Sequence, residues 1–211
     1  MSLYLFKDIK KNVHIPIFFV HIPKCAGTTV EILFEQLGFK TFLAPKDYMW
    51  LRGFLKQPPV HYDITLIENM FRLDIIYTFA IVRNPYSRIL SDYKWAKTQT
   101  TQANFFQNMS FEEFCIHSIK EYSSDNTYLA NHLMPQYKFI SQNVNKIFKL
   151  EEGLEKAIEE VFVDIGLVLS DKLDLQKINA TSEETIEINQ NTKDLIYDFY
   201  ELDFKTFGYK R

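Results

Sequence analysis

Ile17-Phe-Phe-Val-His-Ile-Pro-Lys-Cys-Ala-Gly-Thr-Thr29 opens as a short apolar run and ends in a small turn carrying a lysine, one glycine and two hydroxyls. A helical stretch from Val30 to Leu37 follows at once. A strand feeding a helix through such a turn aims backbone N–H groups and the positive end of the helix at one point, which suits an anion. The turn differs from the usual nucleotide loop, in which lysine directly follows a second glycine and Ser/Thr then serves magnesium. Here Lys24 comes three residues before Gly27, and no earlier glycine opens the turn. A plain strand-to-helix turn, with Thr28 capping the helix, is the competing reading.

Residues 75–95 supply context. Ile75 to Val82 is apolar, rich in β-branched and aromatic residues, and predicts a strand covered on both faces. Asn84 and Pro85 then pair a cap with a first-turn proline, predicting a helix from Pro85 to Lys97. A magnesium-dependent phosphotransferase would want an acid at the tip of this second strand; the chain offers Arg83. Arg83 and Ser91, eight residues apart, are placed to grip a second anion between them, the hydroxyl lying about two turns into the helix. Arg88 and Ser91 share a helix face, which on its own would be an ordinary polar surface.

Lys24 to Thr29 after a strand, followed by Arg83-Asn-Pro-Tyr-Ser-Arg-Ile-Leu-Ser91, resembles the sulfotransferases that use 3′-phosphoadenosine 5′-phosphosulfate (PAPS). The similarity is greatest to the branch acting on carbohydrate hydroxyls, which includes the uronyl 2-O-sulfotransferases and related bacterial proteins. The resemblance implies that Lys24, Cys25, Ala26, Gly27, Thr28 and Thr29 hold the 5′-phosphosulfate and that Arg83 and Ser91 hold the 3′-phosphate. Asn131-His-Leu-Met-Pro-Gln136, Ile147 to Glu151, Ile178 to Ser182 and the closing Tyr200 to Tyr209 are also similar to family segments, so the resemblance spans nearly the whole chain. It implies a three-layer, P-loop-like α/β fold with a central parallel sheet flanked by helices, and one domain over residues 1–211. It also implies PAPS as donor, adenosine 3′,5′-bisphosphate (PAP) as product and no metal.

Sulfuryl transfer to a hydroxyl needs a base and a cation where the leaving phosphate gains charge. Lys24 is the expected cation, with the two threonines adding donors. Histidine suits the base because its reference pKa of about 6.5 leaves it partly neutral. Of His14, His21, His61, His117 and His132, the expected base is His61, in Pro58-Pro-Val-His-Tyr62 at a loop-to-strand corner. In the 2-O-sulfotransferase branch a catalytic histidine lies in a comparable place before the arginine motif. His21, beside the turn, reads as a hydrogen-bonded scaffold residue, and His117 follows the capping box Ser110-Phe-Glu-Glu113 and reads as structural. His132 is the expected acceptor-binding residue, although Leu133 and Met134 beside it equally suit a packed histidine.

The 211 residues suit one core. With 46% hydrophobic and 16% aromatic residues the chain is not disordered, and a net charge of −3 argues against a nucleic-acid partner. Cys25 and Cys115 make no disulfide framework; Cys25 sits at a helix start, where a thiol pKa can fall, but a small tolerated side chain explains it as well. No leader-like or membrane-spanning run is visible, which favours a bacterial-type cytoplasmic enzyme acting on a hydroxyl-bearing small molecule, glycan or glycolipid. Further strands are expected at Ile15–Ile22, Thr41–Leu43, Asp63–Leu66 and Lys146–Leu150. Further helices are expected at Thr28–Leu37, Ser110–Ile119, Gly153–Val163 and Thr192–Leu202, with Thr98–Asn108 as a loop or lid. Two other functions fit the same residues: an ATP-dependent small-molecule kinase with an atypical loop, and a decayed nucleotide-binding module.

Overall fold

The structure, a computed structural model, describes residues 2–8, 13–43, 58–99, 103–167 and 186–211. Five strands form one sheet: β1 (Ser2–Asp8), β2 (Val13–Val20), β3 (Lys40–Phe42), β4 (Tyr77–Val82) and β5 (Lys146–Lys149), in the order β3-β1-β2-β4-β5. β2, β4 and β5 are parallel, as expected, while β1 joins β2 and β3 antiparallel, so the sheet as a whole is mixed. Helices follow as α1 (Gly27–Gln36), α2 (Ile64–Met70), α3 (Pro85–Thr98), α4 (Ala103–Phe106), α5 (Phe111–Ser124), α6 (Leu154–Asp164), α7 (Gln190–Phe199) and α8 (Glu201–Phe207).

Alternation along β2 sorts the layers. Phe18 and Phe19 point to opposite faces, as successive strand residues must. Phe19 meets Phe79 at 4.9 Å between ring centroids, and Phe79 meets Phe34 of α1, which also touches Phe162 of α6 at 5.8 Å. Phe18 instead packs on Phe71, just after α2, at 5.6 Å. Helical segments therefore cover both faces, and residues Thr78 to Val82 of β4 are fully buried. Pro16, which has no N–H to donate, falls where β2 has only β1 beside it, since pairing with β4 starts at Ile17.

Asp63–Leu66 is not a strand. Asp63 caps a helix instead, its Oδ1 accepting from Leu66 N at 3.0 Å, and Ile64 and Ile67 are buried three residues apart. Four residues were too few to separate period 2 from period 3.6. The expected helix Thr192–Leu202 is two helices broken at Tyr200 (φ −106°, ψ 21°). Within the proposed lid, Phe106 is buried against Phe114 at 5.6 Å, so this part belongs to the core. Ile178–Ser182 lies outside the described residues.

The C-terminal helices brace the site. Asp203, fully buried on α8, accepts from the backbone N–H of Gln136 (2.8 Å) and of Tyr137 (2.9 Å), and so caps the 3-10 turn Gln136–Phe139. Replacing it leaves a buried and a part-buried donor unmatched, the buried one at a cost of about 1–3 kcal/mol and the other at less. Asp203→Ala is thus expected to lower stability by about 2–5 kcal/mol, read as the urea midpoint at unchanged slope.

Candidate active site

The tips of β2 and β4 are neighbours, and the chain leaves β2 through α1 for β3, beyond β1 on one flank of β2, while β4 pairs with its other flank. Such a switch point opens a crevice at the carboxyl ends of the strands. The turn between β2 and α1 is tightly bent, with Lys24 at φ 66° and Ala26 at φ 61°. Among the described residues α1 has no side-chain cap, and its first turn holds no acidic residue, so the backbone donors of Gly27, Thr28 and Thr29 keep their claim on an anion. Gly27 is required for space: a Cβ there would lie 2.1 Å from Nε2 of His21.

The second expected anion site adjoins the first. Arg83 donates from Nη1 to the carbonyl of Lys24 at 3.2 Å. Gln136 ties the two together, its Oε1 accepting from Arg83 N (2.8 Å) and from Cys25 Sγ (3.3 Å), while its Nε2 donates to Arg83 O (2.8 Å). Arg88 is buried: it donates from Nε to Pro23 O and from Nη2 to the carbonyls of His132 and Met134 (2.6 and 2.8 Å), a clamp rather than an anion ligand. Glu151 accepts from Asn84 N at 2.7 Å and from the Tyr209 hydroxyl at 3.0 Å. The late family-like segments therefore hold the two anion motifs in place.

Lys24 makes no ion pair among the described residues; its ammonium stands 5.2 Å over the Trp95 ring. Burial lowers its pKa below the usual lysine range, Asp92 opposes that and Arg83 adds to it. From Lys24 a chain of rings runs back to the turn. Trp95 lies 4.4 Å from His132, His132 4.9 Å from His61, and His61 5.6 Å from His21, which rests on Gly27. Each imidazole has its Nδ1 occupied by a different acceptor. His21 meets Glu31 at 2.9 Å, His61 meets the carbonyl of Ala130 at 2.8 Å, and His132 meets Asp92 at 2.6 Å. A carbonyl only accepts, so the Nδ1 of His61 carries the proton and its Nε2 keeps the lone pair when the ring is neutral.

The pin on His61 is strained. Leu129, Ala130 and Asn131 all have positive φ (50°, 54° and 68°), a left-handed turn without glycine. That turn aims the Ala130 carbonyl at His61, and Asn131 Nδ2 donates to the His61 carbonyl at 2.9 Å.

Sequence reasoning named Lys24, Arg83, His61 and His132, and the structure links all four in a chain of contacts that runs through Trp95. It missed Trp95, Asp92 and Gln136 as neighbours of the site. The Cys25 thiol is fully buried against Gln136, and burial pushes its pKa up to about 12. Ser91 is partly exposed on α3. His21 is the scaffold residue expected, and His117 pairs with the Tyr128 hydroxyl at 3.0 Å, away from the ring chain. His14 is exposed. Among the described residues no cluster of three His, Cys, Asp or Glu is arranged to hold a metal, and no helix is long and apolar enough to cross a membrane.

The profile of the sulfotransferase family matches residues 8–210. The chain belongs to that family and is a PAPS-dependent sulfotransferase. Comparison with curated proteins and with solved structures yields no match.

Gly27→Ala is expected to push His21 off the turn and abolish PAP binding, measured by thermal-shift titration. A pH effect on stability follows from His61 and His21. Burial, the first cause for both, lowers the pKa of each from 6.5, and for His61 the neighbouring His132 and His21 add to it. Such groups take up protons more readily unfolded, so their contribution is complete above about pH 6.5 and fades as pH falls through the folded-state values. Stability should therefore rise with pH up to about 6.5 and then level, and His61→Gln should flatten the rise in pH-dependent urea melts.

Proposed function

We propose that the protein moves a sulfuryl group from PAPS to a hydroxyl of a carbohydrate or glycolipid by in-line transfer. The single observation that carries this is the bond from the Arg83 guanidinium to the Lys24 carbonyl, which ties the two expected anion motifs to each other. The start of α1, a half-buried lysine with no ion pair among the described residues and the Arg83 guanidinium fit a nucleotide with a phosphate at each end. In this reading Lys24 to Thr29 hold the 5′-phosphosulfate, and Arg83 and Ser91 the 3′-phosphate.

PAPS supplies an activated sulfur whose bond to the bridging phosphate oxygen breaks as the acceptor oxygen attaches. His61 accepts the hydroxyl proton at Nε2, the nitrogen left free by its bond to Ala130. Its depressed pKa keeps it uncharged and able to accept near neutral pH. Lys24 stabilises the charge that develops on the departing phosphate, and its partial burial strengthens that interaction. His132 contacts the acceptor.

Thermal-shift titration with PAP against magnesium-ATP tests the reading. A selective shift with PAP that Arg83→Ala removes is expected; a stronger shift with magnesium-ATP would favour a kinase and defeat the proposal. In a sulfate-transfer assay over a glycan and glycolipid panel, Lys24→Ala is expected to lose about 10²–10³ in kcat. His61→Ala should lose about 10²–10⁴. Full rate in His61→Ala would remove it from the chemistry, and binding without turnover in the wild type would mark a decayed site.

A further inference from the structure

Asp92 is 2% exposed, yet among the described residues one of its oxygens alone is partnered: Oδ1 meets His132 Nδ1, and Oδ2 has no hydrogen-bond partner there. A buried carboxylate left half-satisfied is costly, and function is one reason to keep it. Around it His132 has little freedom, with Trp95 on its ring and Arg88 gripping its carbonyl. The carboxylate accepts, so the neutral ring carries its proton on Nδ1 and offers a lone pair at Nε2. His61, 4.9 Å away between ring centres, offers a second lone pair at Nε2 by its bond to Ala130. Two adjacent imidazoles are thus held by unrelated devices, a carboxylate and a strained carbonyl, in the same tautomer.

We propose that Asp92 is a positioning residue that fixes His132 as a hydrogen-bond acceptor beside His61, so that the acceptor subsite takes two neighbouring hydroxyls, the vicinal diol of a sugar ring or polyol. This rests on the sulfotransferase reading above. One hydroxyl gives its proton to His61 Nε2 and its oxygen to sulfur; the other donates a hydrogen bond to His132 Nε2 and is unchanged. A lone alcohol, or a diol whose second oxygen is an ether, leaves that nitrogen unmatched. The asparagine variant Asp92→Asn offers an N–H to Nδ1, which moves the ring proton to Nε2 and reverses what His132 presents.

The experiment has two arms. In ¹⁵N-histidine-labelled full-length protein near neutral pH, His132 is expected to show a protonated Nδ1 and a bare Nε2, exchanged in Asp92→Asn. A proton on Nε2 in the wild type, or no exchange in the variant, overturns the assignment without reference to any activity. The second arm takes the best acceptor from the glycan panel and its derivative O-methylated at the adjacent hydroxyl. The wild type should prefer the diol by about 10²-fold or more in kcat/KM, chiefly through KM. Asp92→Asn should shrink or invert that ratio, and equal use of both acceptors by the wild type overturns the diol. Should Asp92→Asn not fold, His132→Ala is expected to erase the preference, and a preference that persists there overturns the proposal. If PAP fails to bind the wild type, the sulfotransferase reading falls, while the tautomer arm still decides the role of Asp92.

Discussion

The amide of Gln136 is the constraint on which the site depends. It closes a two-way bond with the backbone of Arg83, accepts from the thiol of Cys25, and is itself fixed through its own N–H by Asp203. A parallel pair such as β2 and β4 sets its strand tips about 5 Å apart but does not set how the loops beyond them lean. One buried side chain from a third segment sets that lean, and the Arg83–Lys24 bond follows from it. Buried polar networks of this kind tolerate no half measures, because each member left alone costs more than a paired one contributes.

Around that tie the molecule divides into parts that carry the nucleotide motifs and parts that hold them still. The sheet supplies two neighbouring strand ends, α1 supplies donors, the turn after β4 supplies Arg83, and α3 supplies the Asp92–Trp95 wall. The C-terminal segment braces the geometry through Asp203 of α8 and, by way of Glu151, through Tyr209 just beyond it. Rigid support from elements remote in sequence is what a reaction sensitive to small misplacements requires.

Much of this was legible in the residues. Apolar runs of adequate length declared β2 and β4, and the Asn84-Pro85 and Ser110–Glu113 caps declared the starts of α3 and α5. Lys24 and Arg83 stood out because few other roles suit those residue types at those spacings, whereas His61 was singled out by the resemblance to the 2-O-sulfotransferase branch. The failures have physical causes. Asp63–Leu66 was too short to show its period, and β1 joined the sheet antiparallel through a strand that no local motif marks. Asp92 and Trp95 looked like ordinary residues of an amphipathic helix; only their approach to His132, 40 and 37 residues further on, gives them meaning. Gln136 was visible as part of a family-like segment, but its partners in two distant turns were not.

The left-handed stretch Leu129–Asn131 has a consequence for how this enzyme can change. Residues with a Cβ are held there in a conformation that costs about 1 kcal/mol or more apiece, so the native state carries a spring wound against His61. Glycine at 129 or 130 would unwind it and toughen the fold at that corner, but the carbonyl facing the imidazole would then be free to wander. If His61 is the base proposed above, robustness and turnover pull in opposite directions at a single bend of the chain.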